Sequence, residues 1–101
     1  MALLMIRYQI ADEGIADVVE AVENAFAAVA EAQPDGIRYL YLHAADTSEF
    51  IALLELADGV ENPLPGIAAA RHLQATVAKW SVGAAPTPRP LAVLGAYRAF
   101  G

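Results

Sequence analysis

The chain has 101 residues, 57% of them apolar, with 12 acidic and 6 basic side chains, a formal net charge of −6 and no cysteine. That length suits a single domain, residues 1–101, with one modest core. Lack of cysteine excludes a disulfide framework, thiolate metal sites and cysteine nucleophiles. The basic residues Arg7, Arg38, Arg71, Lys79, Arg89 and Arg98 form no run, so neither a nucleic acid nor a membrane surface is an expected partner.

No uncharged stretch approaches the ~18 apolar residues of a membrane span. Arg7 follows the short apolar start rather than preceding it, so no signal peptide is read. A cytoplasmic location is expected, which the lack of cysteine fits. The apolar fraction exceeds the usual range of roughly 45–50%, much of it through alanine. A chain this small and this apolar is expected to bury surface against a second copy of itself.

Residues 4–10 read as a first strand, with Leu4, Ile6, Tyr8 and Ile10 on the face that meets helices and Met5, Arg7 and Gln9 on the other. Asp12, Glu13 and Asp17 then sit where a helix N-terminus favours negative charge. Ile15, Val18, Val19, Val22, Phe26 and Val29 recur every three or four residues as one apolar stripe, with Ala30 beside it. Pro34-Asp35-Gly36 stops that helix.

Residues 37–44 and 50–56 form a predicted hairpin. Ile37, Tyr39, Tyr41 and His43 oppose Arg38, Leu40, Leu42 and Ala44; Phe50, Ala52, Leu54 and Leu56 oppose Ile51, Leu53 and Glu55. Both faces are largely apolar, whereas a half-exposed antiparallel sheet alternates apolar with polar. Two helices cover one face, and the other is left for another subunit.

Asn62-Pro63 reads as an N-cap followed by proline at the first helical position, and Pro65-Gly66 keeps that turn short, so the main helix begins near Ile67. Ile67, Ala70, Leu73, Gln74 and Val77 make its inner face, with Trp80 at the border and His72, Thr76 and Lys79 turned away. Residues 81–90 carry Gly83, Pro86, Pro88 and Pro90 and should run extended without regular structure. Residues 91–100 are the predicted last strand.

The order βαββαβ with two long helices specifies an α+β, ferredoxin-like domain. Its four-stranded antiparallel sheet has the order 4-1-3-2, with two helices on one face. At this point the chain resembles the dimeric α+β barrel superfamily, and within it the antibiotic-biosynthesis-monooxygenase-like domains. The resemblance spans the chain. It rests on Met5-Ile6-Arg7-Tyr8, Pro34-Asp35-Gly36-Ile37-Arg38-Tyr39, Asn62-Pro63-Leu64 and Leu94-Gly95-Ala96-Tyr97-Arg98. It implies a homodimer that closes a barrel by pairing two sheets face to face. It also implies, for some members, cofactor-independent monooxygenation of phenols or quinols. Other members degrade heme or have no known activity, so the fold constrains chemistry weakly. Heme-degrading members use an Asn, a Trp and a His together. Here Trp80 and His72 share a helix in a different order and spacing, and strand one holds no Asn, so none of those roles is carried over.

The candidate catalytic residues are His43, Arg7 and Arg98. His43 ends a strand near Asp46 and Glu49 and suits a general base near neutral pH; the plainer reading is an idle histidine at a hairpin end. Arg7, Glu55 and Arg98 each interrupt an apolar strand and are expected to share one polar layer on the inter-sheet face. That layer is either an anion-binding, substrate-orienting site or an ion-pair network fixing dimer register. Tyr8, Tyr39, Tyr41 and Tyr97 suit a pocket for a small aromatic ligand, with Glu55 and Trp80 as further contacts, or else plain packing. His43 and His72 lack metal-ligand spacing, so no metal is expected, and no nucleotide fingerprint points to a cofactor. Three functions stay open: a cofactor-free oxygenase of an aromatic metabolite, a non-catalytic ligand-binding dimer, and a structural module.

Overall fold

In the computed structural model, which describes residues 1–83 and 85–99, strand β1 (Ala2–Ile10) leads through a 3-10 turn at Asp12–Gly14 into helix α1 (Ile15–Ala32). Strands β2 (Ile37–His43) and β3 (Glu49–Leu56) form the hairpin. A second 3-10 turn at Leu64–Gly66 precedes helix α2 (Ala68–Trp80), and two short strands follow, β4 (Ser81–Val82) and β5 (Arg89–Leu91). The sheet is antiparallel throughout, with β3 and β1 central, β2 outside β3, and both β4 and β5 along the free edge of β1. This is the expected ferredoxin-like order, since β4 and β5 together occupy the fourth position.

That fourth position corrects the reading of the C-terminus. Val82 pairs with Gln9 and Arg89 with Met5. The chain between them is longer than the stretch of β1 it passes, and Pro86 and Pro88 have no N–H to give a ladder. The edge strand therefore splits in two. It also ends at Leu91, because residues 92–99 form no strand. Val93, Leu94 and Tyr97 are 53, 98 and 83% exposed there. Phe100, the expected end of that strand, lies outside the described residues.

Helix α1 ends where expected. Gln33 takes a left-handed conformation (φ 47°) and donates its N–H to Val29 O at 2.9 Å. Gly36 follows at φ 80°, and a Cβ there would stand 2.7 Å from Val60 Cγ2, so this turn needs glycine for both its backbone and its space. The α1 stripe is centred on Val18, Ala21 and Ala25, all buried, with Ile15, Val19, Val22 and Phe26 half-buried around them. Counting large aliphatic residues shifts the centre, because alanine is where two helices approach closely. Ala30 is exposed. On α2, Ala70, Leu73 and Val77 are buried as expected, while Gln74 is exposed.

The core lies between the helices and one sheet face and joins Tyr8, Ile10, Val18, Ala21, Ala25, Phe50, Leu73 and Val77. Among the described residues no helix covers the opposite face. It carries Leu3 and Met5 from β1, Leu40 and Leu42 from β2, and Ile51 and Leu53 from β3, aligned in rows by the register. Leu42 is 41% exposed.

Candidate functional site

Two concavities flank α2. The first is an open groove of about 330 Å³ between α1 and α2, lined by polar groups such as Asp17, Glu20, His72 and Lys79. The second is a more enclosed, largely apolar cavity of about 370 Å³ between α2 and the sheet. Ligand sites are typically concave and apolar with a few polar groups converging on them, so the second is the candidate site.

Its floor is built by alternation along three strands: Leu4, Ile6 and Tyr8 from β1, Tyr39 and Tyr41 from β2, Ala52 and Leu54 from β3. Its roof is the buried stripe of α2, and Ala85, Pro86 and Pro88 of the interrupted edge close one side. Ala52 in the floor and Ala70 in the roof are both buried and short, which leaves open volume where longer side chains would meet.

The polar residues of the wall are Tyr8, Tyr39, Tyr41, Asn62 and Gln74. The Tyr8 and Tyr41 hydroxyls share a hydrogen bond. Burial pushes the Tyr8 hydroxyl up to about 12, although its bond with Tyr41 pulls the other way. Burial likewise raises Tyr39 and Tyr41, each raised further by the neighbouring phenol. All three therefore stay neutral through the physiological range. Asn62 Oδ1 accepts from Leu64 N–H at 3.0 Å and shapes the chain entering α2.

An aromatic ladder holds these rings in place. Phe26 of α1 stacks on Tyr39 at 4.7 Å, Tyr39 meets Tyr41 edge-on at 6.2 Å, Tyr41 meets Tyr8 edge-on at 6.4 Å, and Tyr8 stacks on Phe50 at 5.8 Å. Offset and edge-on arrangements of this kind suit the ring quadrupoles.

The other candidate residues are distributed around this site. His43 stands outside the cavity wall; its ring stacks on Phe50 at 4.3 Å, and Nε2–H donates to Thr47 O at 2.6 Å within its own hairpin turn. Arg7 projects from the open sheet face, where Nε donates to Glu49 Oε2 at 2.5 Å. Glu55 is on the same face but is paired with Arg38 at 3.9 Å. The expected Arg7–Glu55 pair does not form, because the register sets Arg7 opposite Ile51 and Glu55 opposite Leu3. Ile51 and Glu55 are four steps apart along the strand, roughly 13 Å. Arg98 and Tyr97 lie beyond the sheet in the exposed C-terminal segment, the guanidinium 5.2 Å from the ring centre. Trp80 lines the α1–α2 groove rather than the tyrosine cavity, and its buried Nε1–H has no partner among the described residues.

Of the four tyrosines grouped in the sequence, Tyr8, Tyr39 and Tyr41 line one cavity and Tyr97 lies outside it. Gln74 and Asn62 were legible as helix-face and cap residues, and nothing in their local pattern shows that a cavity separates them from the sheet. Among the described residues no three His, Asp or Glu side chains group as metal ligands, and no helix is long and apolar enough to cross a membrane.

No family model matches the chain. No curated protein is significantly similar to it in sequence. Solved structures are similar. One is a "putative antibiotic biosynthesis monooxygenase" from Nitrosomonas europaea, with a TM-score of 0.70 and 17% identity over 92% of this chain and 89% of the other. Another is a Nitrosomonas europaea protein of unknown function, with a TM-score of 0.70 and 17% identity over 99% and 95% of the two chains. By this likeness over nearly the whole chain, the chain shares the α+β fold of these structures.

Proposed function

We propose that this domain binds a small aromatic molecule in the cavity between α2 and the sheet. The observation that carries this reading is the partly enclosed, largely apolar cavity of about 370 Å³ lined by Tyr8, Tyr39 and Tyr41. Aromatic rings on an apolar floor supply contact area, and a few neutral hydroxyls and amides supply orientation. Turnover is a second reading, favoured by the likeness to the named monooxygenase structure. It is cofactor-independent oxygenation of an electron-rich phenol or quinol. The wall contains no carboxylate, imidazole or cation, so binding is the step it supports directly.

A homodimer through the uncovered sheet face belongs to the same proposal. Apolar side chains of β1, β2 and β3 share that face, with the Arg7–Glu49 and Arg38–Glu55 pairs at its margins. An apolar patch rimmed by charge is the pattern of a protein interface.

The test is titration with a panel of bicyclic phenols and hydrocarbons by calorimetry, with oxygen uptake measured in parallel, with and without a chelator. Saturable binding that is lost in Ala70→Phe, where a ring fills the cavity, is expected. Binding that survives Ala70→Phe in a folded variant places the ligand elsewhere. Oxygen consumption at background rate for every phenol removes the turnover reading and leaves binding.

A further inference from the structure

We propose that the hydrogen-bonded Tyr8–Tyr41 hydroxyl pair is a fixed donor that recognises a carbonyl oxygen, and that the cavity's ligand is an uncharged aromatic ketone or aldehyde. This rests on the ligand-binding reading above and goes further by naming the group recognised. A pair of neutral phenols carries two O–H protons. One closes the bond between the two oxygens, and the other needs an acceptor of its own. No protein acceptor takes it among the described residues, and both side chains form part of the cavity wall. The pair therefore offers one O–H to whatever fills the cavity.

The pair is held by the sheet rather than by a loop. Tyr8 belongs to β1 and Tyr41 to β2, strands separated by β3. The residue of β3 opposite Tyr41 is Ala52, whose methyl leaves room for the two hydroxyls to meet above the middle strand. Phe50, opposite Tyr8, stacks on its ring, and Phe26 and Tyr39 meet Tyr41 edge-on. A donor fixed in this way costs a ligand little reorganisation.

The ligand's charge follows from the rest of the wall, which holds no Lys, Arg or His. A carboxylate entering it would lose hydration with no cation in return, whereas a carbonyl needs only the donor. Burial keeps both phenols protonated, so the donor is present at any physiological pH.

The experiment compares 1-tetralone, tetralin and 1-naphthoate, which share a bicyclic frame but carry a carbonyl, no acceptor and a carboxylate. Calorimetry is done on the wild-type chain, on Tyr8→Phe/Tyr41→Phe and on Tyr97→Phe, outside the cavity wall, with circular dichroism reporting the fold. The expected result is that 1-tetralone binds about three- to tenfold more tightly than tetralin, the worth of one neutral hydrogen bond. 1-Naphthoate binds more weakly than 1-tetralone. The ketone preference disappears in the double variant and persists in Tyr97→Phe. The carbonyl stretch of bound 1-tetralone, measured in the wild type by infrared difference spectroscopy, shifts to lower frequency. That reading does not depend on how well the double variant folds.

Equal affinity for ketone and hydrocarbon, an unshifted carbonyl stretch, or a preference unchanged in a folded double variant overturns the inference while the ligand-binding reading stands. 1-Naphthoate binding as tightly as 1-tetralone overturns the uncharged assignment. No saturable binding by any of the three overturns the ligand-binding reading and this inference with it.

Discussion

Trp80 lies across Gly14 so closely that a Cβ at position 14 would overlap Trp80 Cγ and stand 2.6 Å from Trp80 Cβ. Gly14 is buried at the junction of the 3-10 turn and α1, and Trp80 is the last residue of α2, so this contact fixes where one helix starts against where the other ends. Trp80 Cβ is fixed by the backbone, so no rotation of the indole relieves that contact. We predict that Gly14→Ala destabilises the fold by about 2 kcal/mol or more, through overpacking. A thermal melt should show the midpoint falling by roughly 10 °C. An unchanged midpoint would mean that the two helices are not held at this separation.

The three raised tyrosine hydroxyls make stability depend on alkaline pH. In the unfolded chain a tyrosine ionises near 10, whereas in the fold Tyr8 ionises at about 12 and Tyr39 and Tyr41 are also raised. Above pH 10 the unfolded chain releases protons that the folded chain retains, so the unfolded state gains stability as pH rises. The contribution is complete below pH 10 and is lost as pH climbs from 10 towards 12 and beyond. For Tyr8 alone this amounts to about 2–3 kcal/mol. Denaturant midpoints measured from pH 7 to 11 should be flat and then fall. A midpoint constant through pH 11 would rule out buried neutral phenols.

The open face offers a direct test of assembly. Leu53 sits in the middle row of that face, between Leu40 and Met5. We predict that the wild-type chain has the mass of two chains by light scattering at micromolar concentration, and that Leu53→Asp has the mass of one. An unpaired carboxylate buried between two sheets costs several kcal/mol. On the exposed face of a monomer the same change would barely alter stability. A single-chain mass for the wild type would sink the dimer.

The Arg7–Glu49 pair is short at 2.5 Å, yet the Arg7 side chain is 62% exposed. Exposed ion pairs are screened by water and salt, so a double-mutant cycle with Arg7→Ala and Glu49→Ala should give a coupling of at most about 1 kcal/mol, weakening with added salt. Arg7 with Glu55 should give none, since the register keeps them apart. A large coupling between Arg7 and Glu55 would show that a second copy changes this layer on assembly.

Element types were legible along the chain because they depend on local periods. Alternation in β1 and across the hairpin, the stripe of α1, the stop at Pro34 and the start of α2 after Asn62-Pro63 are all patterns within a few residues, and the order βαββαβ then leaves few topologies. The excess of aliphatic residues at Leu40, Leu42, Ile51 and Leu53 showed in the same way that the hairpin is apolar on both sides. Three features were decided only by the tertiary structure. The partner of Arg7 is Glu49 and not Glu55, because register is set by the fit of whole strands, and neighbouring strands do not reveal their offset locally. The last strand breaks at Pro86 and Pro88 and stops at Leu91, because its length depends on how much of β1 remains to pair with. Tyr8 and Tyr41, 33 residues apart in the chain, share a hydrogen bond because Ala52 between them is small. Closure over a short side chain on a third strand is a matter of volume in three dimensions, and no spacing along the chain encodes it.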